Sequence, residues 1–146
     1  MLSMKAKYAL RALIVLSVHE KKMMQSKVIA READVPAKFL EAILGELKHK
    51  GIVTSKRGIF GGYFLAKPAG EIMVGEVVRL IDGTLAPLRC ASTSDYQKCD
   101  DCQDENTCVI RKVMIDVSNA ISRELDHRSL AEVITLSPQR KQNIFW

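Results

Sequence analysis

Four cysteines, Cys90, Cys99, Cys102 and Cys108, are the residues of this sequence whose type and spacing indicate chemistry most directly. Thiolates are good ligands for zinc and for iron–sulfur clusters, and metal binding favours the deprotonated form. A structural zinc site takes four ligands and a cluster commonly does so too, so the number of cysteines does not decide between them. The sequence therefore predicts a metal centre built from these four residues.

The cysteine segment is also acidic, and this bears on how the thiols are used. Negative neighbours disfavour thiolates, so free reactive cysteines are less natural here, whereas a bound cation would offset the clustered charge. Cys99 and Cys102 form a C-x-x-C pair, but the βαβ setting of a small redox enzyme is missing around it. Because we find no convincing nucleophile constellation either, we do not expect an enzyme. The acidic residues are Asp95, Asp100, Asp101, Asp104 and Glu105.

Charge is distributed unevenly along the chain. Residues 1–67 contain 13 Lys and Arg against 5 Asp and Glu, a net charge of +8, whereas residues 68–146 carry −3. A basic half joined to an acidic half suggests that only the first half meets a polyanion, either nucleic acid or an anionic membrane surface. With 47% hydrophobic and 27% charged residues, the composition excludes a mainly disordered or collagen-like chain.

The N-terminal region bears on location. Lys5 and Lys7 precede an apolar stretch, as in a signal peptide, but Arg11 interrupts that stretch and no small-residue cleavage site follows. The sequence contains no run of about 18 apolar residues, so we expect neither a membrane span nor a membrane partner. We expect a cytoplasmic protein, in a reducing compartment where clustered cysteines bind metal or sense redox state more often than they form structural disulfides.

Hydrophobic periodicity predicts five helices and one β-hairpin. Helical spacing covers residues 4–20, 27–33, 37–50, 74–81 and 109–127, and two short strands, 52–55 and 63–66, flank a glycine-rich turn. Ser26 is predicted to cap the second helix, and Gly51 suits the C-terminal cap of the third, where positive φ is favoured. The predicted buried stripe of the third helix is Phe39, Leu40, Ile43, Leu44 and Leu47.

Helix, helix, tight turn, helix and hairpin is the order of a winged helix-turn-helix. We therefore expect a mainly α fold with a small β-hairpin wing, followed by a long C-terminal helix. A helix fits the major groove of B-DNA, and its N-terminal residues reach the base edges. In the third helix those residues would be Ala37, Lys38, Glu41 and Ala42.

The hairpin tip is the second candidate contact with DNA. It offers Lys56 and Arg57 to phosphates or to the minor groove, and Gly58 permits the tight turn. Two other readings stay open at this point. Small helices and a hairpin can form a scaffold with a solvated basic tip, and a basic amphipathic first helix can lie on a membrane.

Five short segments recur here in a specific order. They are KYALRA at 7–12, FLE at 39–41, RG-x-x-GGY at 57–63, VGEVV at 74–78 and SLAE at 129–132. Taken together, they make the chain resemble the iron–sulfur-cluster regulator family of bacterial winged-helix transcription factors, which includes IscR-, NsrR-, RirA- and CymR-type members. The resemblance covers about residues 1–135.

The resemblance implies a homodimer that binds a pseudo-palindromic operator in double-stranded DNA. We expect this regulator to act as a repressor. It implies that helix 109–127 crosses its twin at the dimer interface and that Glu41 contributes to base discrimination. It also implies a cluster, 2Fe–2S in preference to 4Fe–4S, whose state changes DNA affinity. The full DNA-binding set predicted for this chain is Lys5, Tyr8, Lys27, Ala37, Lys38, Glu41, Lys56, Arg57 and Gly58.

The chain departs from the family pattern at the cysteines, since members usually have three and this sequence has four. Cys90 and Cys108 match the outer two, and either Cys99 or Cys102 matches the middle one. Arg111 and Lys7 stand where some members place the remaining ligand, and neither side chain binds metal, so the extra cysteine is the predicted fourth ligand. A metal-free CymR-type regulator, controlled by thiol oxidation or by a partner protein, and a structural zinc site are the alternatives.

These expectations divide the chain into five parts. The predicted DNA-binding domain spans residues 1–67, a connecting helix lies within 68–85, and the cysteine-rich sensor loop spans 86–108. The dimerisation helix lies within 109–135, and 136–146 forms a tail.

The wing tip, with Ile59 and Phe60, is bulkier than is usual in the family.

Overall fold

The computed structural model describes residues 2–137, so most of the predicted tail, 136–146, lies outside the described residues. Its architecture is mainly α with one two-stranded antiparallel hairpin, which confirms the predicted fold class. The helices are α1 Met4–Val18, α2 Ser26–Ala33, α3 Ala37–His49, α4 Val74–Asp82, α5 Val109–Asp126 and α6 Leu130–Val133. The strands are β1 Val53–Lys56 and β2 Gly62–Leu65, and single 3-10 turns lie at Ala69–Glu71, Arg89–Ala91 and Ile134–Leu136.

Helix α1 is the centre of the fold and contacts α2, α3, α4, α6 and β2. Its inward face alternates small and large residues, with Ala9 and Ala12 beside Leu13 and Leu16, all buried. The small alanines let neighbouring helices approach closely, while the leucines fill the space between them. Ser3 caps α1, because its hydroxyl accepts a hydrogen bond of 3.0 Å from the Ala6 N–H.

The α2–α3 connection is a tight helix-turn-helix. Asp34 adopts a left-handed conformation with φ 52°, and Pro36 is the N-cap residue directly before α3. Ser26 does not cap α2 as predicted, since the helix starts one residue earlier: the Gln25 carbonyl accepts hydrogen bonds from the N–H groups of Val28 and Ile29. Ser26 is therefore the first helical residue.

The hairpin that follows α3 is tied to the rest of the domain. Met24 and Tyr63 exchange two backbone hydrogen bonds of 2.9 and 2.8 Å, which adds a one-residue third strand to the β1–β2 pair. Gly62, at φ +153°, is required for this approach, because an added Cβ would lie 2.5 Å from the Met24 carbonyl oxygen. Gly51 follows the end of α3 with φ +76°, as the sequence predicts.

Helix α5 stands apart from the core. It contacts α4 and the Arg89–Ala91 turn, and none of its 18 residues is buried. Its C-terminal end is fixed to α4 by Asp126, which accepts hydrogen bonds of 2.5 and 2.8 Å from both terminal nitrogens of Arg79. None of the helices within residues 2–137 is both long enough and apolar enough to cross a membrane.

Candidate DNA-binding surface and cysteine cavity

The first turns of α3 present one polar face to solvent. Ala37, Lys38 and Glu41 are exposed, while the opposite face, with Leu40, Ile43, Leu44 and Leu47, is buried in the core. The predicted base-reading residues therefore share one accessible helix face. Their contact with DNA stays a prediction.

Phe39 is not part of the buried stripe, and the prediction that it would be is wrong. Its side chain is 59% exposed, because successive helix residues are turned by about 100° and Phe39 falls to one side of the Leu40 row. It packs instead against Tyr8 of α1, with ring centroids 6.4 Å apart and planes inclined by 40°. Phe39 thus joins the accessible surface beside Tyr8, a predicted DNA contact that is half-buried.

Two predicted basic contacts flank this surface on other helices. Lys5 of α1 forms an ion pair with Glu46 of α3, which holds the start of α1 beside α3. Lys27, near the start of α2, is exposed. Together with Lys38 they distribute positive charge over three helices that meet at the helix-turn-helix.

At the wing tip, Lys56, Arg57 and Gly58 are all exposed. Gly58 has φ +113°, a conformation that favours glycine, and its carbonyl accepts a hydrogen bond of 3.0 Å from the Gly61 N–H, which closes the turn. Across residues 2–137, no hydrogen bond or ion pair engages the side chains of Lys56 and Arg57. Both charges are therefore available to an external anion.

The four cysteines come together, although 18 positions separate the first from the last. All four line one cavity of about 280 Å³ between the Arg89–Ala91 turn and the first turn of α5. Charged residues share its walls, and Leu88 and Ile110 supply apolar surface. The charged residues are Lys98, Asp101, Glu105 and Arg111.

Within the cavity the thiols influence one another. The nearby Cys90 thiol and partial burial raise the pKa of Cys99. Partial burial and the neighbouring Cys108 raise the pKa of Cys102. Cys99 and Cys102 are therefore protonated at neutral pH when no metal is bound, as the acidic surroundings suggest.

The donor set fits a soft metal centre in its chemistry, but not a single ion in its arrangement. Within the part of the chain that the structure describes, no three His, Cys, Asp or Glu side chains are placed to hold one metal ion. All four thiols nevertheless line one cavity, and cysteine thiolates are the usual protein ligands of iron–sulfur clusters. Lys98 and Arg111 would offset the negative charge of four thiolates.

Arg111 has a role that the sequence did not reveal. Cys108 caps α5, and its sulfur accepts a hydrogen bond of 3.4 Å from the Arg111 N–H. The Arg111 Nε donates a second hydrogen bond, of 2.9 Å, to the Cys90 carbonyl oxygen. The only signal in the sequence is the position of Arg111 three residues after the capping cysteine, where a side chain can turn back toward the start of a helix.

Comparison with known proteins places this architecture. The Rrf2 model, described as that of an iron-dependent transcriptional regulator, matches residues 2–136. The chain belongs to the Rrf2 family. An rrf2-like HTH-type regulator of Rhodobacter capsulatus is 45% identical over 121 residues, 80% of this chain and 81% of that protein. The HTH-type transcriptional regulator IscR of Serratia proteamaculans is 31% identical over 134 residues, 91% of this chain and 78% of that one.

The fold of this Rrf2-family protein is also found in a solved structure. CymR of B. subtilis, described as the global cysteine regulator, superposes with a TM-score of 0.78 at 25% identity, covering 94% of this chain and 98% of that one. The predicted family and the winged-helix fold are confirmed, and so is the expectation of a regulator in place of an enzyme. The chain is a DNA-binding transcriptional regulator of the Rrf2 family.

Proposed function

We propose that this Rrf2-family regulator binds a pseudo-palindromic operator as a homodimer, and that a cysteine-ligated iron–sulfur cluster controls its affinity for DNA. The observation that carries the proposal is the cavity lined by all four cysteines, one wall of which is the first turn of α5. We expect repression as the outcome of binding, and a cytoplasmic location, where the operator is.

On the DNA side, the exposed face of α3 enters the major groove and the wing reaches the adjacent backbone and minor groove. Glu41 and Ala37 are exposed on this face. Glu41 would accept a hydrogen bond from a cytosine amino group, and Ala37 would contact a thymine methyl. Lys38, Lys56 and Arg57 supply phosphate contacts, and Lys5, Tyr8 and Lys27 flank the same surface. The +8 charge of residues 1–67 supports this assignment.

The homodimer is supported by the apolar surface of α5. Val109, Ile110, Val113 and Val117 are all exposed, Ile110 by 60% and Val113 by 55%. These residues recur at helical spacing along a helix of about 27 Å. A second α5 crossing the first would bury this stripe, and the resulting two-fold axis matches a pseudo-palindromic operator.

For the cysteine centre, we expect 2Fe–2S in preference to 4Fe–4S or zinc. The proposed ligands are the four cysteines that line the cavity, Cys90, Cys99, Cys102 and Cys108. When bound, such a cluster supplies a crosslink among the cysteines that responds to oxidation, nitric oxide or iron supply. Arg111 anchors this segment to α5 through the Cys90 carbonyl.

A chain of contacts leads from the cavity toward the DNA-binding surface. Helix α5 is fixed to α4 through Asp126 and Arg79, and Asp82 at the end of α4 accepts hydrogen bonds from the Ser3 N–H and hydroxyl at the start of α1. A change in the angle of α5 therefore has a route to α1 and α3. Coupling of ~1–3 kcal/mol would change operator affinity roughly 5–150-fold.

The test is the visible spectrum of protein purified without oxygen, together with its iron and sulfide content. We expect a brown protein absorbing near 400 nm with iron and sulfide in equal amounts. Cys90→Ala and Cys108→Ala should each abolish the colour, whereas the exposed Thr93→Ala on the same segment should keep it. A colourless preparation that contains zinc would indicate a structural zinc site in place of the cluster. Colour that survives both cysteine substitutions would overturn the ligand assignment.

A metal-free thiol switch is the second candidate, because all four thiols line one cavity. Oxidation by a peroxide would remove two electrons and two protons from a pair of thiols, form one S–S bond and reduce the peroxide to two oxygen-bearing products such as water. A colourless protein whose DNA affinity changes with peroxide and recovers with dithiothreitol would favour this candidate. A colourless protein that responds to neither would favour control by a partner protein.

A further inference from the structure

The wing tip carries the two most exposed large hydrophobic side chains within residues 2–137. Ile59 is 87% exposed and Phe60 is 89% exposed. They occupy the two central positions of the turn that the Gly61 N–H and Gly58 carbonyl close. Gly, Pro, Asn, Asp and Ser usually occupy such positions, because they suit turn geometry and water. Two adjacent large apolar side chains here add nothing to the core and indicate an external partner.

These side chains are held on a rigid support. The paired residues of β1 and β2 extend to Lys56 and Gly62 at the base of the turn. Tyr63 and Met24 exchange two backbone hydrogen bonds, from each N–H to the other carbonyl. The turn is so tight that a Cβ at Gly61 would lie 2.2 Å from the Lys56 carbonyl oxygen. Little backbone entropy is lost when a tip of this kind enters a binding site.

The charges beside the tip define the chemistry of the partner. Lys56 and Arg57 directly precede the turn and have no anionic partner among the described residues. An apolar tip with cations at its base matches a site with anions at its rim and an apolar interior. The DNA minor groove has this form, with phosphates along its edges and stacked bases inside. A second copy of this chain would instead bring the same cations into repulsion.

We propose that Phe60, with Ile59 beside it, enters the minor groove and partly unstacks one base step, so that the operator is kinked where the wing meets it. This inference rests on the proposed function, which brings the wing to the DNA. Pyrimidine–purine steps unstack most readily, so the wing selects TA or CA/TG steps through their deformability, without hydrogen bonds to base edges. The wing tip then contributes sequence preference as well as affinity.

The probe is a 30-base-pair duplex that the full-length protein enriches from a random library, labelled at both ends for energy transfer. Wild-type protein should kink it by ~20° or more and should make thymines at the wing-facing step reactive to permanganate, which oxidises unstacked thymine. Phe60→Asn keeps a residue suited to the turn and removes the ring. We expect it to abolish kink and reactivity and to weaken binding about tenfold.

Two matched variants distinguish insertion of the Phe60 side chain between bases from a charge contact with phosphates. Phe60→Leu keeps an apolar side chain and should retain most of the kink, whereas Lys56→Ala should flatten the salt dependence of binding and leave the kink in place. Phe60 is exposed, so thermal unfolding of Phe60→Asn should match wild type and exclude misfolding as the cause. Kink and reactivity that survive in Phe60→Asn would overturn the inference.

Four further outcomes would also overturn it. If the wild-type protein binds the duplex but leaves it straight, insertion of Phe60 is ruled out and the proposed function still stands. If the wild-type protein enriches no duplex, both the insertion and the proposed function are ruled out. Unchanged DNA binding by Phe60→Asn together with lost binding to vesicles of anionic phospholipid would assign the tip to a membrane surface. Unchanged DNA binding with a smaller assembly in sedimentation would assign the tip to contact between copies of the chain.

Discussion

The guanidinium of Arg111 donates a hydrogen bond of 2.9 Å from Nε to the carbonyl oxygen of Cys90. The two residues lie at opposite ends of the cysteine segment, and the bond joins its first cysteine to the first turn of α5. Because the backbone N–H of Arg111 also bonds to the sulfur of Cys108, one residue is tied to both outer cysteines. A displacement of either cysteine therefore reaches α5 directly.

Arg111→Gln tests whether this bond couples the proposed cluster to DNA affinity. We expect the cluster to form as in wild type, because no proposed ligand is removed, while the ratio of DNA affinities between cluster-loaded and cluster-free protein falls at least threefold. Fluorescence anisotropy with the enriched duplex measures the ratio. Lys112→Gln removes an exposed neighbouring charge and is the control. An unchanged ratio in Arg111→Gln would place the coupling elsewhere.

The exposed stripe of α5 predicts how the chain assembles. Val113→Glu places a charge on the stripe and should convert the dimer to a monomer in sedimentation velocity, with operator affinity at least tenfold lower, because one half-site is lost. Asn119→Glu adds the same charge on the opposite side of the helix and should remain dimeric. A Val113→Glu protein that sediments as wild type would show that α5 is not the interface.

The Asp126–Arg79 pair predicts part of the pH dependence of stability. Hydrogen bonding to Arg79 lowers the pKa of the Asp126 carboxyl below its ordinary range. The contribution of the Asp126–Arg79 pair to the free energy of unfolding is therefore present above the ordinary carboxyl pKa. It is lost as the pH falls through the lower pKa of Asp126 in the folded state. Because the side chains of Arg79 and Asp126 are 36% and 35% exposed, we expect the pair to stabilise the fold by at most ~1 kcal/mol.

Urea unfolding of wild type and Asp126→Asn between about pH 6 and pH 3 measures this contribution. The free energy of unfolding should differ most at pH 6, and the two curves should converge at the acidic end. Glu124→Gln, on the exposed side of α5, is the control and should follow wild type more closely. Parallel curves for wild type and Asp126→Asn would contradict the assignment.

Two glycine substitutions test the support of the wing. Gly62→Ala places a Cβ 2.5 Å from the Met24 carbonyl oxygen and should destabilise the protein by ~1–3 kcal/mol while weakening DNA binding. Gly45→Ala lies inside α3 with open space around the added methyl, and it should stabilise the helix by up to ~1 kcal/mol. Thermal unfolding and anisotropy of the two variants give the comparison. Equal unfolding temperatures would show that the Met24 contact does not constrain the wing.

Local signals in the sequence were sufficient for the elements that position the site. Leu40, Ile43, Leu44 and Leu47 recur at helical spacing, so one face of α3 had to be buried and the opposite face exposed. Gly51 and Pro36 marked the ends of that helix, because their backbone preferences act within one or two residues. The hairpin was predicted to within one residue at each strand end.

The sequence likewise predicted a metal or thiol centre, because its four cysteines are clustered in one short acidic segment. Only the tertiary structure showed that all four cysteines line one cavity, that Phe39 is exposed against Tyr8, and that Arg111 bonds to Cys90. These contacts join segments far apart in the chain, and residue spacing carries information only about neighbours on the same helix or strand. Where the segments meet depends on how α1, α4 and α5 pack together, which periodicity within any one of them does not specify.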